Sequence, residues 1–140
     1  RSQPVESQIR VGDQLATIRY SQIDMGQPEN IFDGDIYTLM RGLEANPFII
    51  ELEFPEPRPI SQISADLANM DFTLSAQLFS SPDLAPIVYE TTQRGVPGDP
   101  HVDLVIDHGP ELVSKLRLEI LSLNSGDRPH IHVRELNLSP

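Results

Sequence analysis

The chain contains no cysteine and no tryptophan, and it has no long apolar segment. Without cysteine there is no disulfide framework, no thiolate metal site and no cysteine nucleophile. No uninterrupted aliphatic and aromatic run is longer than Phe48–Ile50, whereas a membrane-spanning helix needs roughly 20 apolar residues. We therefore expect that this chain does not insert into a membrane.

Basic residues are also scarce relative to acidic ones. The chain has 10 lysines and arginines against 21 aspartates and glutamates, which gives a net charge of -11. A surface with this charge repels the phosphates of nucleic acids and of anionic membranes, so neither is expected as a partner. Repulsion between copies of the chain also favours a monomer.

The length of 140 residues fits one domain with its own core. The composition of RSQPVESQ predicts a flexible leader or linker over residues 1–8, followed by a single folded domain over residues 9–140. The chain starts with Arg1 and has no basic segment followed by an apolar one. We therefore expect a processed chain or a domain excised from a longer protein.

Short segments with a period of two predict a sheet protein. In FIIELEF, residues 48–54, large apolar side chains alternate with Ile49, Glu51 and Glu53, and the prolines of PEPRP are expected to end this strand. Similar patterns occupy residues 16–21, 60–67, 71–79, 103–107, 115–121 and 131–138. Turns rich in proline and glycine separate them, and no window has the spacing of a long helix. Seven or eight strands with at most one helical turn predict an all-β antiparallel sandwich.

No catalytic motif is present, because the chain has no GxSxG elbow, no glycine-rich phosphate loop and no HExxH. His130 and His132 in HIH project from the same face of a strand, which is a spacing that can serve a metal. The alternative is an exposed polar face that Arg134 continues, with Ile131 and Val133 buried opposite. The sequence thus gives no indication of an enzyme.

The segment NIFDGDIYTL, residues 30–39, places two carboxylates around one glycine. Asp33, Asp35 and the hydroxyl of Thr38 are hard oxygen ligands of the kind that Ca²⁺ prefers, although the spacing is not that of an EF-hand. The alternative is an Asx-turn, in which Asp33 bonds its own backbone and Gly34 adopts a positive φ. The local residues leave both interpretations open.

This loop and the segments that follow it resemble a known family. NIFDGDIYTL followed by NPFIIELEFPEPRPISQI resembles the discoidin, or coagulation-factor C-type, pattern of an FDGD loop, a threonine, an alternating strand and a P…I..I segment. HIHVRELNL resembles the closing strand of these domains, so the resemblance extends over residues 16–138. It implies a galactose-binding-domain-like jelly roll, which agrees with the sandwich predicted from the strands.

The resemblance also implies a structural calcium between the loop and the last strand. Its ligands would be the side chains of Asp33 and Glu135, Asp35 through its side chain or carbonyl, and Thr38 through its hydroxyl or carbonyl. Family members usually have a tryptophan shortly after the threonine. In this chain Leu39 or Met40 is expected to fill that position in the core.

Sugar-binding members of the family present aromatic rings on the loops at one end of the sandwich, because the C–H faces of a sugar stack on aromatic surfaces. Tyr37 and Tyr89 are the available platforms here, and each is alternatively a core or flanking aromatic. Arg94 and His101 are candidate polar contacts, together with Asp99 and the turn at residues 69–71. The resemblance therefore implies a non-catalytic carbohydrate-binding module. The alternative is a structural or protein-interaction domain without a sugar site.

A second resemblance concerns the protein that would carry this domain. The chain is similar to soluble tail domains that follow the membrane-embedded part of bacterial glycosyltransferases of the dolichyl-phosphate-mannose mannosyltransferase type. This implies an extracytoplasmic location, an attached catalytic domain and a glycan or glycolipid as the partner.

Overall fold

The computed structural model describes residues 3–124 and 129–140, which form eleven strands and one 3₁₀ turn. The 3₁₀ turn covers Pro28–Ile31, and no helix of the described chain has the length and apolarity needed to cross a membrane. The strands are β1 (Val5–Val11), β2 (Gln14–Tyr20), β3 (Ile23–Met25), β4 (Met40–Gly42), β5 (Phe48–Ile60), β6 (Gln62–Leu67), β7 (Phe72–Phe79), β8 (Ile87–Gln93), β9 (His101–Val105), β10 (Glu111–Ser122) and β11 (His132–Ser139).

The strands form two antiparallel sheets that enclose one core. The six-stranded sheet has the order β1-β2-β5-β10-β7-β8, and the five-stranded sheet has the order β3-β4-β11-β6-β9. Alternation along β5 buries Phe48, Ile50 and Leu52 and turns Ile49 and Glu51 outward, as the period of two predicts. The predicted all-β antiparallel sandwich is confirmed. Met40 is fully buried and fills the core position after Thr38.

Strand β5 is longer than predicted, because PEPRP does not end it. Lys115 of β10 pairs with Glu53, whereas Val113 pairs with Arg58, so the two strands are out of step across the prolines. Proline has no N–H for a ladder hydrogen bond, and an irregularity in the pairing removes the need for one. The strand therefore continues to Ile60.

The predicted leader over residues 1–8 is wrong from Val5 onward. Strand β1 pairs with β2 along its whole length, with Val5 opposite Tyr20 and Val11 opposite Gln14. Ile9 and Val11 are buried in the core. Residues 5, 7, 9 and 11 face inward, and the polar residues between them dilute the apolar composition that would have indicated a strand.

The strand directions bring several loops to one end of the sandwich. Phe72, at the start of β7, pairs with Ser122 at the end of β10 and with Gln93 at the end of β8. In the other sheet, the end of β6 meets the starts of β9 and β11. We call the surface formed by residues 68–71, 94–100, 123–124 and 129–131 the loop end.

Candidate functional site

The loop of residues 32–39 contains two successive Asx-turns. Asp33 accepts a hydrogen bond from the Asp35 N–H through Oδ1 at 2.9 Å, and Asp35 accepts one from the Tyr37 N–H through Oδ1 at 2.9 Å. Gly34 between them has a φ of 76°, which a glycine adopts without steric cost. One oxygen of each carboxylate is therefore used in an Asx-turn.

The second oxygen of Asp33 belongs to a cluster of oxygens around Thr38. The Thr38 hydroxyl lies 2.5 Å from Asp33 Oδ2, 3.0 Å from the Asp35 carbonyl oxygen and 3.2 Å from the Asn30 carbonyl oxygen. A hydroxyl has a single proton to donate, so it cannot serve all three acceptors at once. The surplus of acceptors is what a cation would balance.

Glu135 faces this loop from β11 and is almost fully buried, with 4% of its surface exposed. Its Oε2 accepts a hydrogen bond from the Gly34 N–H at 2.9 Å, whereas its Oε1 is buried and has no partner in the described chain. A pairing irregularity between Val133 and Glu135 turns both Glu135 and Leu136 inward. Burial raises the pKa of the Glu135 carboxyl, and the nearby Asp33 carboxylate raises it further.

These residues fit a calcium ion. Ca²⁺ takes carboxylate, hydroxyl and backbone carbonyl oxygens together, and the buried Oε1 of Glu135 would gain a partner. Asp35 would contribute through its carbonyl, because its side chain bonds the Tyr37 N–H. In residues 3–124 and 129–140, no three His, Cys, Asp or Glu side chains form a metal cluster, so such a site would depend on neutral oxygens.

A second candidate site is a pocket of about 260 Å³ at the loop end. Its lining combines small apolar groups with amides and imidazoles, and no aromatic ring apart from the imidazoles belongs to the described lining. The lining residues are Ala68, Asn69, Met70, Ser122, Asn124, Pro129, His130, Ile131 and His132. We call this the loop-end pocket.

Backbone contacts fix the amide side chains of this pocket. The Asn69 side-chain amide donates to the Gly98 carbonyl at 2.6 Å, and the Asn69 backbone N–H donates to Asp99 at 3.1 Å. Asn124 Oδ1 accepts a hydrogen bond from the Asp71 N–H at 3.0 Å. The amides are therefore held in place before a ligand arrives, which lowers the entropic cost of binding.

The two imidazoles differ in their surroundings. His130 Nδ1 lies 3.1 Å from the Gly42 carbonyl oxygen. His132 Nδ1 is buried and has no hydrogen-bond partner in the described chain. Burial lowers the pKa of His132, and the nearby Arg134 lowers it further, so this ring is neutral at pH 7.

The two imidazoles were predicted only as a polar strand face or a metal pair. Ile131 and Val133 are buried opposite them, as the polar-face interpretation requires. The HIH pattern predicts the polar strand face but not the pocket, because the remaining lining residues come from segments that are distant in the sequence.

The structure does not gather the four predicted sugar contacts into one site. Tyr37 is 85% exposed on the loop of residues 32–39, and Arg94 is exposed at the loop end. The Tyr89 hydroxyl accepts a hydrogen bond from the Asp107 N–H at 2.9 Å, beyond the far end of β9 from His101. Tyr89 also packs against the core, in agreement with its interpretation as a flanking aromatic.

His101 bridges two carboxylates beside the loop end. Its Nδ1 lies 2.7 Å from Asp66 Oδ1 and its Nε2 lies 2.9 Å from Asp103 Oδ1. The hydrogen bond to Asp66, followed by that to Asp103, raises the pKa of the imidazole. This ring is therefore occupied by structural contacts. By contrast, Asp99 accepts a hydrogen bond from the Asn69 N–H, so Asp99 and residues 69–71 lie together at the loop end.

Comparisons with protein-family models and with curated proteins find no match. Solved structures do match. The CBM32 of AlyQ, in complex with 4,5-unsaturated mannuronic acid, has a TM-score of 0.69 and 18% identity, and the match covers 95% of this chain and 98% of that one. A truncated AlyQ that also contains an alginate lyase domain matches over 33% of its length, with a TM-score of 0.63 and 17% identity over 96% of this chain.

Two further solved domains have a similar fold. The family 32 module of NanJ from Clostridium perfringens, in complex with galactose, has a TM-score of 0.64 and 15% identity, and the match covers 88% of this chain and 92% of that one. The F5/8 type C domain of a Bacteroides fragilis protein has a TM-score of 0.66 and 14% identity, with 95% of both chains covered. The chain thus has the galactose-binding-like β-sandwich fold of CBM32 and F5/8 type C domains.

Proposed function

We propose that this chain is a non-catalytic carbohydrate-binding module that recognises a sugar in the loop-end pocket. The observation that carries the proposal is the pocket of pre-positioned amides and imidazoles, at one end of a fold shared with modules that were solved with sugars bound. A few fixed polar groups in a concave site give orientation and specificity to a small ligand.

The pocket chemistry suits sugar hydroxyls. Asn69, whose side-chain N–H groups donate to the Val96 and Gly98 carbonyls, offers its own carbonyl oxygen as an acceptor. Asn124, whose Oδ1 accepts from the Asp71 N–H, offers its side-chain N–H groups as donors. Met70 and Pro129, which are both partly exposed, supply apolar contact for the C–H groups of a ring. The volume of about 260 Å³ is below that of most drug-sized sites, so the pocket accommodates one terminal sugar unit.

Calcium has a structural role in this proposal. Asp33, Glu135, Thr38 and the carbonyl oxygens of Asn30 and Asp35 would hold the ion and join the loop of residues 32–39 to β11. When bound, the ion supplies positive charge to the buried Glu135 carboxylate. It lies outside the loop-end pocket, because none of these residues lines that pocket.

The proposal extends to the protein that carries the module. The AlyQ match, in which a CBM32 and an alginate lyase domain share a chain, supports attachment to a larger glycan-active protein. The resemblance to mannosyltransferase tail domains supports a glycosyltransferase as that protein, with an extracytoplasmic location and a glycan or glycolipid as the ligand. The net charge of -11 supports a monomer.

A glycan array in calcium, followed by calorimetry with each hit, tests the function. We expect Asn69→Ala and His132→Ala to weaken binding at least tenfold, because each removes a hydrogen-bonding group from the pocket. Asn137→Ala is the matched control, since Asn137 is exposed near the far end of β11 and does not line the pocket. If no glycan binds, the proposal fails and the protein-interaction alternative replaces it. If binding is unchanged in both variants, the pocket is not the site.

A further inference from the structure

A larger depression lies on the outer face of the six-stranded sheet. It has a volume of about 690 Å³ and shares no lining residue with the loop-end pocket. Its floor is formed by outward-facing residues of β2, β5 and β10, and its walls are formed by residues 3–4 and 43–45. We call it the sheet groove. Its volume falls within the range of about 300–1,000 Å³ that is usual for small-molecule sites.

Gln22 connects the two walls of the sheet groove. Its carbonyl accepts a hydrogen bond from the Leu43 N–H at 2.9 Å, and its side-chain amide donates to the Gln3 carbonyl at 2.7 Å. Both walls are therefore tied to the segment between β2 and β3. A groove built in this way exists before any ligand binds, which reduces the entropy that binding must overcome.

Charged side chains of neighbouring strands hold each other along the floor. Arg19 donates to Glu6 and to Glu53, each at 2.8 Å. Arg117 donates to Glu51 at 2.6 Å and to Glu119 at 2.9 Å. In each guanidinium, Nη2 makes no hydrogen bond within residues 3–124 and 129–140. The groove thus contains fixed donors whose hydrogen-bonding capacity is not used up.

Aliphatic surface lies beside these donors. Ile49 is half-buried in the floor, on the strand that lies between β2 and β10, and Leu43 is 41% exposed in the wall. Apolar surface next to hydrogen-bonding groups is complementary to a sugar, which presents C–H faces and hydroxyl groups on one ring.

The local charge selects among sugars. The floor network contains four carboxylates and two guanidinium groups, and the whole chain carries a net charge of -11. An acidic sugar would be repelled by this surplus of negative charge, whereas a neutral sugar is not.

We propose that the sheet groove is a second carbohydrate site that binds a neutral saccharide, with Arg19 and Arg117 as donors, Glu51 as acceptor and Ile49 and Leu43 as apolar contacts. This inference extends the proposed function by a second site, and the two sites can be tested separately because no residue belongs to both. A module with two separate sites could bind one glycan chain at two points and gain affinity through effective concentration.

Two-dimensional NMR titration of the full chain tests the groove directly. The probes are cellotetraose, mannotetraose and galactotetraose, with tetragalacturonate as the acidic counterpart. We expect at least one neutral probe to shift the Arg19 and Arg117 Nε–H signals and the Ile49 methyl signals, and the acidic probe to leave them in place. Shifts confined to His132 and Asn69 would overturn the groove and leave the proposed function intact. Groove shifts without pocket shifts would support the groove and overturn the proposed sugar site in the loop-end pocket. Shifts with only the acidic probe would overturn the assignment of a neutral sugar.

A matched pair of surface variants provides the quantitative arm. Leu43→Ser removes an apolar contact from the groove wall, and Leu84→Ser removes a similarly exposed leucine between β7 and β8 at the opposite end of the sandwich. We expect Leu43→Ser to weaken binding of the shifting probe about fivefold and Leu84→Ser to leave it unchanged. Equal affinities in both variants would overturn the proposal. Both leucines are exposed, so neither substitution is expected to unfold the domain, and a change in affinity reports on binding.

Discussion

The outer faces of the two sheets satisfy their polar groups in different ways. On the six-stranded sheet, Arg19 and Arg117 each lie between two carboxylates, and each of these carboxylates has a guanidinium partner within the protein. On the outer face of the five-stranded sheet, β11 carries two buried polar atoms without a partner in the described chain, in His132 and Arg134, and the inward-facing Glu135 carries a third. A buried polar atom without a partner costs free energy, whereas an exposed ion pair adds little. The carboxylates of the first face are therefore paired within the protein, whereas the buried polar atoms of β11 depend on water, an ion or a ligand.

Removal of calcium should reveal the difference between the two faces most strongly, as a change in Tm. An ion that binds only the folded state at a hundredfold excess over its Kd stabilises it by about 2.7 kcal/mol, which corresponds to a shift of roughly 5–10 °C in a domain of this size. We expect a chelator to lower the Tm of the wild type by this amount. Asp33→Ala should abolish the response to calcium, whereas Asp83→Ala, an exposed aspartate in another loop, should retain it. A Tm that does not respond in the wild type would leave the loop as a pair of Asx-turns.

Glu135→Gln should reveal the cost of the unpartnered carboxylate. Burial raises the pKa of Glu135 in the folded state, so its contribution to stability is favourable below the unfolded pKa and is lost as the pH rises through the folded one. In chelator at pH 7, the uncharged Gln should therefore raise the Tm by a few degrees relative to the wild type. In calcium the order should reverse, because the variant has lost a ligand. Melts of both proteins in both buffers measure this, and a destabilised variant in chelator would contradict it.

The ion pairs of the six-stranded sheet should contribute much less. A double-mutant cycle with Glu6→Gln and Arg19→Met should give a coupling free energy of about 0.5 kcal/mol, because both side chains are substantially exposed. Urea midpoints at low and high salt measure the coupling and its screening. A coupling above 2 kcal/mol would remove the contrast between the two faces.

The smallest expected effect is a pH dependence at His101. Hydrogen bonds to Asp66 and then to Asp103 raise the pKa of this imidazole above its ordinary value. Its contribution is fully present below the unfolded pKa, about 6.5, and is lost as the pH rises through the folded pKa. His101→Gln should therefore lose more stability at pH 5.5 than at pH 8.5, as measured by urea midpoints. An equal loss at both pH values would show that the bridge does not depend on charge.

The parts of the fold that the sequence predicts are those with a strong local pattern. FIIELEF forms a strand because its alternation is uninterrupted, and the sandwich follows from several such segments. Strand β1 was not predicted, because Ser7 interrupts its inward-facing apolar residues and the exposed Glu6, Gln8 and Arg10 make the segment polar in composition. The length of β5 was not predicted, because an irregular pairing tolerates its prolines. These two outcomes depend on a partner strand, which a local pattern does not contain.

The two candidate sites differ in the same respect. Asp33, Asp35 and Thr38 lie within six consecutive residues, so the sequence alone shows that these oxygen ligands are neighbours. The position of Glu135 came from the family resemblance, and the Asn30 carbonyl is a backbone group with no signature in the sequence. The loop-end pocket draws its lining from three separate segments between residues 68 and 132, so its composition follows only from the strand pairing.

The hydrogen bond from Gly34 to Glu135 joins residues that are 101 positions apart. Strand β11 is the last strand in the chain, so the loop of residues 32–39 remains without its buried carboxylate until nearly all of the domain has been synthesised. A chain that stops before β11, or loses it to a protease, keeps both aspartates and still lacks the completed oxygen cluster. The oxygen cluster of this loop therefore depends on an intact β11, and a calcium-dependent Tm would distinguish a domain that has β11 from one that lacks it.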